Sequence, residues 1–240
     1  MILPRTRASF DRADAGAVVE LLGAGAPELR KNARARLARE GLDALLDDPR
    51  TLNALLTGRD VRVSPGLVFY VLVRQALLEV GVDDRQIADY VTSLVIAFGE
   101  KDRAYRISDE SGEEFHYLVD LVARLGEADS RDAFLVRSHM GNYALWLTGL
   151  FPDFVHGRVT RRGAPPIRYY EAMGSSGFLE ASGSREAREL GLAGLYEGVA
   201  RDFSVLREAL NRLADRHLWS GAGHPVERLL REVGWRFSDS

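Results

Sequence analysis

Apolar residues recur at three- and four-residue steps along almost the whole chain, whereas strict alternation over a strand length is scarce, so the pattern predicts an all-α protein. The expected architecture is a multi-helix bundle of about nine to ten helices with a long C-terminal spine helix. It begins with a short helix near Ala15 to Leu22, preceded by an arm that lacks the period and is expected to be mobile. A second helix is predicted over Glu28 to Leu46 and stopped by Asp47, Asp48 and Pro49, and a short one follows near Leu52 to Leu56. The run LVFYVLV would suit a buried strand, but it continues into RQALLEVG without a turn and is preceded by Ser64 and Pro65. Those two residues cap and open a helix, so the spacing predicts a helix over 65–80 closed by Gly81. Ile87, Tyr90, Val91, Leu94, Val95 and Phe98 then mark a partner helix.

In the second half, Ser111 and Glu114 resemble a capping box, followed by Phe115, Leu118, Val119, Val122 and Leu125 as an inward face. Residues 130–150, with Ser130 as cap, are apolar on nearly every side and predict a buried helix. A short helix, the loop RVTRRGAPP at 158–166 and a helix from Pro166 to about Ala181 come next, the last carrying Gly174 and Gly177 one turn apart for close approach of a neighbour. From Ser184 to Trp219, Leu192, Val199, Leu206 and Leu213 stand seven apart, interleaved with Tyr196, Phe203, Leu210 and His217. That is an a/d seam, read as the spine of a bundle with a dimer seam as the alternative. A last helix opens at His224 and Pro225. The chain forms one helical domain over 1–240, or two lobes, 1–100 and 111–240, joined by the polar segment 101–110.

Composition narrows the functional classes. There is no cysteine, which excludes disulfides, thiol catalysis and cysteine-ligated metal. The longest apolar run, Leu67 to Val73, is far short of the ~20 residues that span a bilayer. No apolar secretory segment is seen, so the expectation is a cytoplasmic protein with no membrane partner. Acidic residues outnumber basic ones and the net charge is −3, which argues against nucleic acid; an arginine excess over lysine is explained by genome base composition.

Candidate chemistry concentrates on the 130–150 helix. Arg137, His139 and Asn142 are polar side chains on an apolar helix and must be satisfied internally or face a cavity. One reading is a small-molecule pocket between helices 130–150 and 166–181. There Arg137 would anchor an anion, His139 exchange a proton, and Tyr143, Trp146 and Tyr170 form walls. The other is a buried arginine to carboxylate bridge plus a satisfied core histidine. Arg158, Arg161, Arg162 and Arg168 form a basic cluster that would bind an anion or simply remain solvated. Glu113 and His116 form a Glu-x-x-His step, which would put a carboxylate and an imidazole on one helical face for a metal. No second such step exists, and Glu113 equally suits a helix first turn. No nucleophile elbow or phosphate loop is present, and no cofactor is implied. The leading expectation is a helical protein acting through protein contacts or as a homodimer, ahead of a ligand-binding module or enzyme and of a metal-binding bundle.

Overall fold

A computed structural model describes residues 1–58, 61–100, 103–108 and 113–218. Among them are thirteen α-helices and no strand. The chain divides into two compact units: Pro4–Ile96, and Met1–Leu3 together with the described residues from Ala97 onward. The division falls inside a helix. The helix expected at His224 lies outside the described residues.

The N-terminal unit holds α1 (Arg12–Leu22), α2 (Pro27–Glu40), α3 (Leu42–Leu46), α4 (Pro49–Thr57), α5 (Pro65–Glu79) and most of α6 (Arg85–Gly99). The helix expected over Glu28 to Leu46 is two helices, because Gly41 takes φ 81°, a left-handed conformation open to glycine and costly for other residues. Ser64 caps α5 as its position predicts, its Oγ accepting the Leu67 N–H at 3.3 Å. α5 buries Leu67, Phe69, Tyr70 and Val71, and also Arg74, whose Nε donates to Asp47 at 2.7 Å and whose Nη2 pairs with Asp83. Arg85 closes on the same Asp47 at 2.6 Å, so burial of one guanidinium is matched by two carboxylates. The arm is fixed: the Arg7 N–H donates to Asp89 at 2.9 Å and the Thr6 and Ser93 hydroxyls meet at 2.9 Å. Partners 82 and 87 residues away give the arm no local periodicity by which it could be recognised.

The C-terminal unit is organised around α8 (Ser130–Leu150), flanked by α7 (Leu118–Leu125), α9 (Pro152–Arg162) and α10 (Ile167–Ser182). The expected spine is instead α11 (Arg185–Glu189), α12 (Ala193–Arg201), α13 (Phe203–Leu213) and a π-helical turn at Ala214–Leu218. Gly191 at φ 68° ends the first piece, and Asp202, clamped by Arg201 at 2.8 Å, interrupts the second. These breaks, with that at Gly41, raise the helix number above the nine to ten that spacing alone suggests. Heptad spacing survives the breaks: Leu192, Tyr196, Val199, Phe203, Leu206, Leu210 and Leu213 are all buried within this unit. Phe178 of α10 meets Tyr196 at 5.3 Å and Phe203 at 6.3 Å between ring centres, and Leu210 abuts Gly149 of α8. The seam is therefore filled from inside the chain and offers no stripe to a second copy.

Candidate functional site

α8 is capped by Asp129, whose side chain accepts the Asp132 N–H at 2.9 Å, rather than by Ser130. At its other end, Asn211 Nδ2 donates to the carbonyls of Thr148 at 2.8 Å and Gly149 at 2.6 Å, groups that the last helical turn leaves without intrahelical donors.

One side of α8 is pressed against α10. A Cβ on Gly141 would stand 2.6 Å from the Phe178 ring, one on Gly177 would stand 2.8 Å from the Arg137 carbonyl oxygen, and one on Gly174 would meet Phe203 at 2.5 Å. Side chain, ring and backbone fill this stretch of the interface, and it leaves no space for a ligand there. Arg137 is half-exposed at its edge, with Nε 2.8 Å from Glu180 Oε2 but off the hydrogen-bond direction, so it is a rim ion pair and not a buried anion anchor. Asn142 is buried on the same helix.

The opposite side of α8 carries rings. His139 lies 5.7 Å from the Phe98 ring and 6.4 Å from that of Tyr143, and Trp146 lies 5.8 Å from Phe98 and 4.8 Å from Phe151. Burial, aided by the Arg103 charge, pushes the His139 pKa down to about 3, so its imidazole is neutral at physiological pH. Its Nε2 and the Trp146 Nε1 have no hydrogen-bond partner. Tyr143 donates its hydroxyl to the His116 carbonyl at 3.0 Å, and burial drives its pKa upward, which keeps the phenol neutral. His139, Tyr143 and Trp146 thus share one aromatic wall, while Arg137 belongs to the other side.

Tyr143 leads outward to α9. Arg158 holds its guanidinium carbon 4.8 Å from the centre of the Tyr117 ring and 5.4 Å from that of Phe154. Its charge also reaches Tyr143 and Tyr170, opposing the upward push that burial exerts on both hydroxyls. Tyr117 and Phe154 are about half exposed, at 49% and 51%, in contrast to the buried rings behind them. Cation–π contacts of this kind contribute about 0.5–2 kcal/mol, more as water is removed. The other three arginines do not join it. The expected loop is helical as far as Arg162, so Arg161 and Arg162 occupy the exposed last turn of α9, where positive charge suits the helix dipole. Arg161 donates to the Gly157 carbonyl at 3.1 Å, and Arg168 is exposed on α10.

α7 differs most from expectation. It begins at Leu118, not after Ser111, which lies outside the described residues, and Glu113 and His116 fall in the non-helical segment before it. The common helical face required for a Glu-x-x-His metal step is therefore not formed. The His116 ring lies 4.3 Å from that of Tyr105 at a tilt of 42°, and its Nε2 lies 3.5 Å from Glu114. Among the described residues, no group of three His, Asp or Glu side chains is spaced to hold a metal ion. In α7 Leu118 and Leu121 are buried, whereas Val119 and Val122, expected on the inward face, are exposed. Phe154 and Tyr117 were not distinguished by spacing. Their signal is the i, i+4 step from Phe154 to Arg158, readable only once α9 is known to be a helix through 162.

Compared with models of protein families, with curated proteins and with solved structures, the chain matches none. Among the described residues no helix is long and apolar enough to cross a membrane. The class defined by fold and site is an all-helical protein whose C-terminal unit exposes an aromatic and arginine face on α7 and α9.

Proposed function

We propose that the protein is a cytoplasmic interaction module that forms a homodimer through the face where Arg158 lies between Tyr117 and Phe154. The observation that carries this reading is that pairing of exposed aromatics with a guanidinium. Tyrosine and arginine are enriched among the few residues that carry most of an interface's binding energy, and aromatic rings bury much area. Val119 and Val122 add apolar surface on the neighbouring helix.

A second copy fits because the face carries its own complement. Arg158 is only partly buried between the two rings, and Asp120 and Asp153 are exposed in the first turns of α7 and α9. A two-fold contact sets the same patch of both copies face to face, and a patch with both signs of charge lets a carboxylate of each copy meet the guanidinium of the other. The net charge of −3 favours protein over nucleic acid as partner.

Sedimentation equilibrium over a wide concentration range tests the reading. Wild type is expected to dimerise, and Arg158→Ala to weaken the dimer by about ten- to thirtyfold, the effect of losing 1.4–2 kcal/mol at a hot spot. Equal dimerisation of the two, or a wild type that stays monomeric at several hundred micromolar, would overturn it.

A further inference from the structure

The N-terminal unit contains a pocket of about 470 Å³, lined by Arg7, Phe10, Glu40, Gly41, Asp43 and Asp89 among others. That volume lies in the range of small-molecule sites. Its charges are unequally matched. Glu40 accepts hydrogen bonds from Arg36 and Arg39, and Asp43 pairs with the Arg7 guanidinium. Asp89 is only 7% exposed and is held by main-chain donors, the Arg7 N–H at 2.9 Å and that of Thr6. Burial holds its carboxyl above the ordinary range, the Arg7 charge offsetting this only in part.

A second observation lies behind the pocket wall. The Phe10 ring meets the Tyr70 ring edge-on at 5.5 Å, and the buried Tyr70 hydroxyl has no hydrogen-bond partner while feeling the charges of Arg7 and Asp43. The Phe10 ring and the buried Asp89 carboxylate, both in the pocket lining, suit a molecule with a positive head and an apolar body, and Tyr70 backs the ring from behind.

We propose that this pocket binds a small organic cation, an aryl or alkyl ammonium, with its ammonium group against Asp89 and its apolar part along Phe10. The Arg7 main chain holds Asp89 in place while its side chain is occupied by Asp43. The ammonium supplies the charge partner that the main-chain N–H groups cannot. The site is independent of the dimer face, which belongs to the other unit.

Calorimetric titration of the full chain with benzylammonium chloride tests it, with benzyl alcohol as the neutral counterpart of similar shape. The expected result is saturable binding of the ammonium at least tenfold tighter than the alcohol, with a further tenfold loss in Asp89→Asn. Asparagine retains an oxygen to accept the Arg7 N–H, so the arm stays anchored. Should that variant unfold, amide shifts in wild type decide: benzylammonium should move the Arg7, Gly41 and Leu42 signals ahead of all others. Equal binding of alcohol and ammonium, unchanged binding in Asp89→Asn, or shifts centred elsewhere would each overturn the assignment.

Discussion

The α8–α10 interface and the outer face of α7 and α9 both contain residues that stand out in the sequence, yet they are built for opposite ends. The first uses glycines to bring helices into contact so close that a single methyl group would collide with ring or carbonyl. The second places Tyr117 and Phe154 half in solvent around an arginine. Small residues at helical spacing mark where a chain closes upon itself. Two aromatic residues held half outside mark a side that the chain does not close upon itself, the side proposed above to meet a second copy.

The sharpest way to break this contrast is to damage the closed side. Leu206, fully buried on α13, should lose about 2–5 kcal/mol of stability on replacement by alanine, measured by chemical denaturation. A cost below about 1 kcal/mol would show that the seam is not core. Gly177→Val should cost about 3 kcal/mol in the same assay, since its new side chain meets the Arg137 carbonyl, which cannot rotate away as a side chain would. Tolerance of that change would mean the two helices stand further apart.

An intermediate effect tests the ring-lined side of α8. The His139 folded pKa of about 3 lies below its unfolded value near 6.5, so between them the unfolded chain binds more protons. Stability present above the unfolded value is then lost as pH falls, with a slope approaching about 1.4 kcal/mol per pH unit. Relative to wild type, His139→Phe should flatten the stability profile between pH 6.5 and 5; parallel profiles would show that the ring is hydrated. The smallest effect belongs to the rim. Glu180→Gln removes the carboxylate beside the half-exposed Arg137 and should change stability by less than about 1 kcal/mol.

What the sequence disclosed follows from the range of the forces involved. Local signals were legible: Ser64 with Pro65 announced α5, and the seven-residue steps marked residues that are buried, all but His217, which is partly exposed. Glycine spacing on α10 correctly signalled close approach. The same spacing could not show that Asp202 and Gly191 would interrupt the seam, since the apolar stripe continues across both breaks. Nor could it place the start of α7 beyond Glu113 and His116, which removes the helical face expected of them, or tell that Val119 and Val122 would be exposed. The candidate list on α8 joined residues on two different sides, because adjacency along one helix does not say which neighbour each side meets. Asp89 and Arg7 were invisible for a plainer reason: 82 residues separate partners that only tertiary folding brings together.

The most direct test of the open face is sedimentation equilibrium of three proteins side by side: wild type, Phe154→Ala, and Leu179→Ser, which alters an exposed apolar residue of α10 that is not part of the Arg158 cluster. Dimers in wild type and Leu179→Ser, with Phe154→Ala weakened by about tenfold or more, are the predicted result. A common dissociation constant for all three, or monomers throughout, would contradict it.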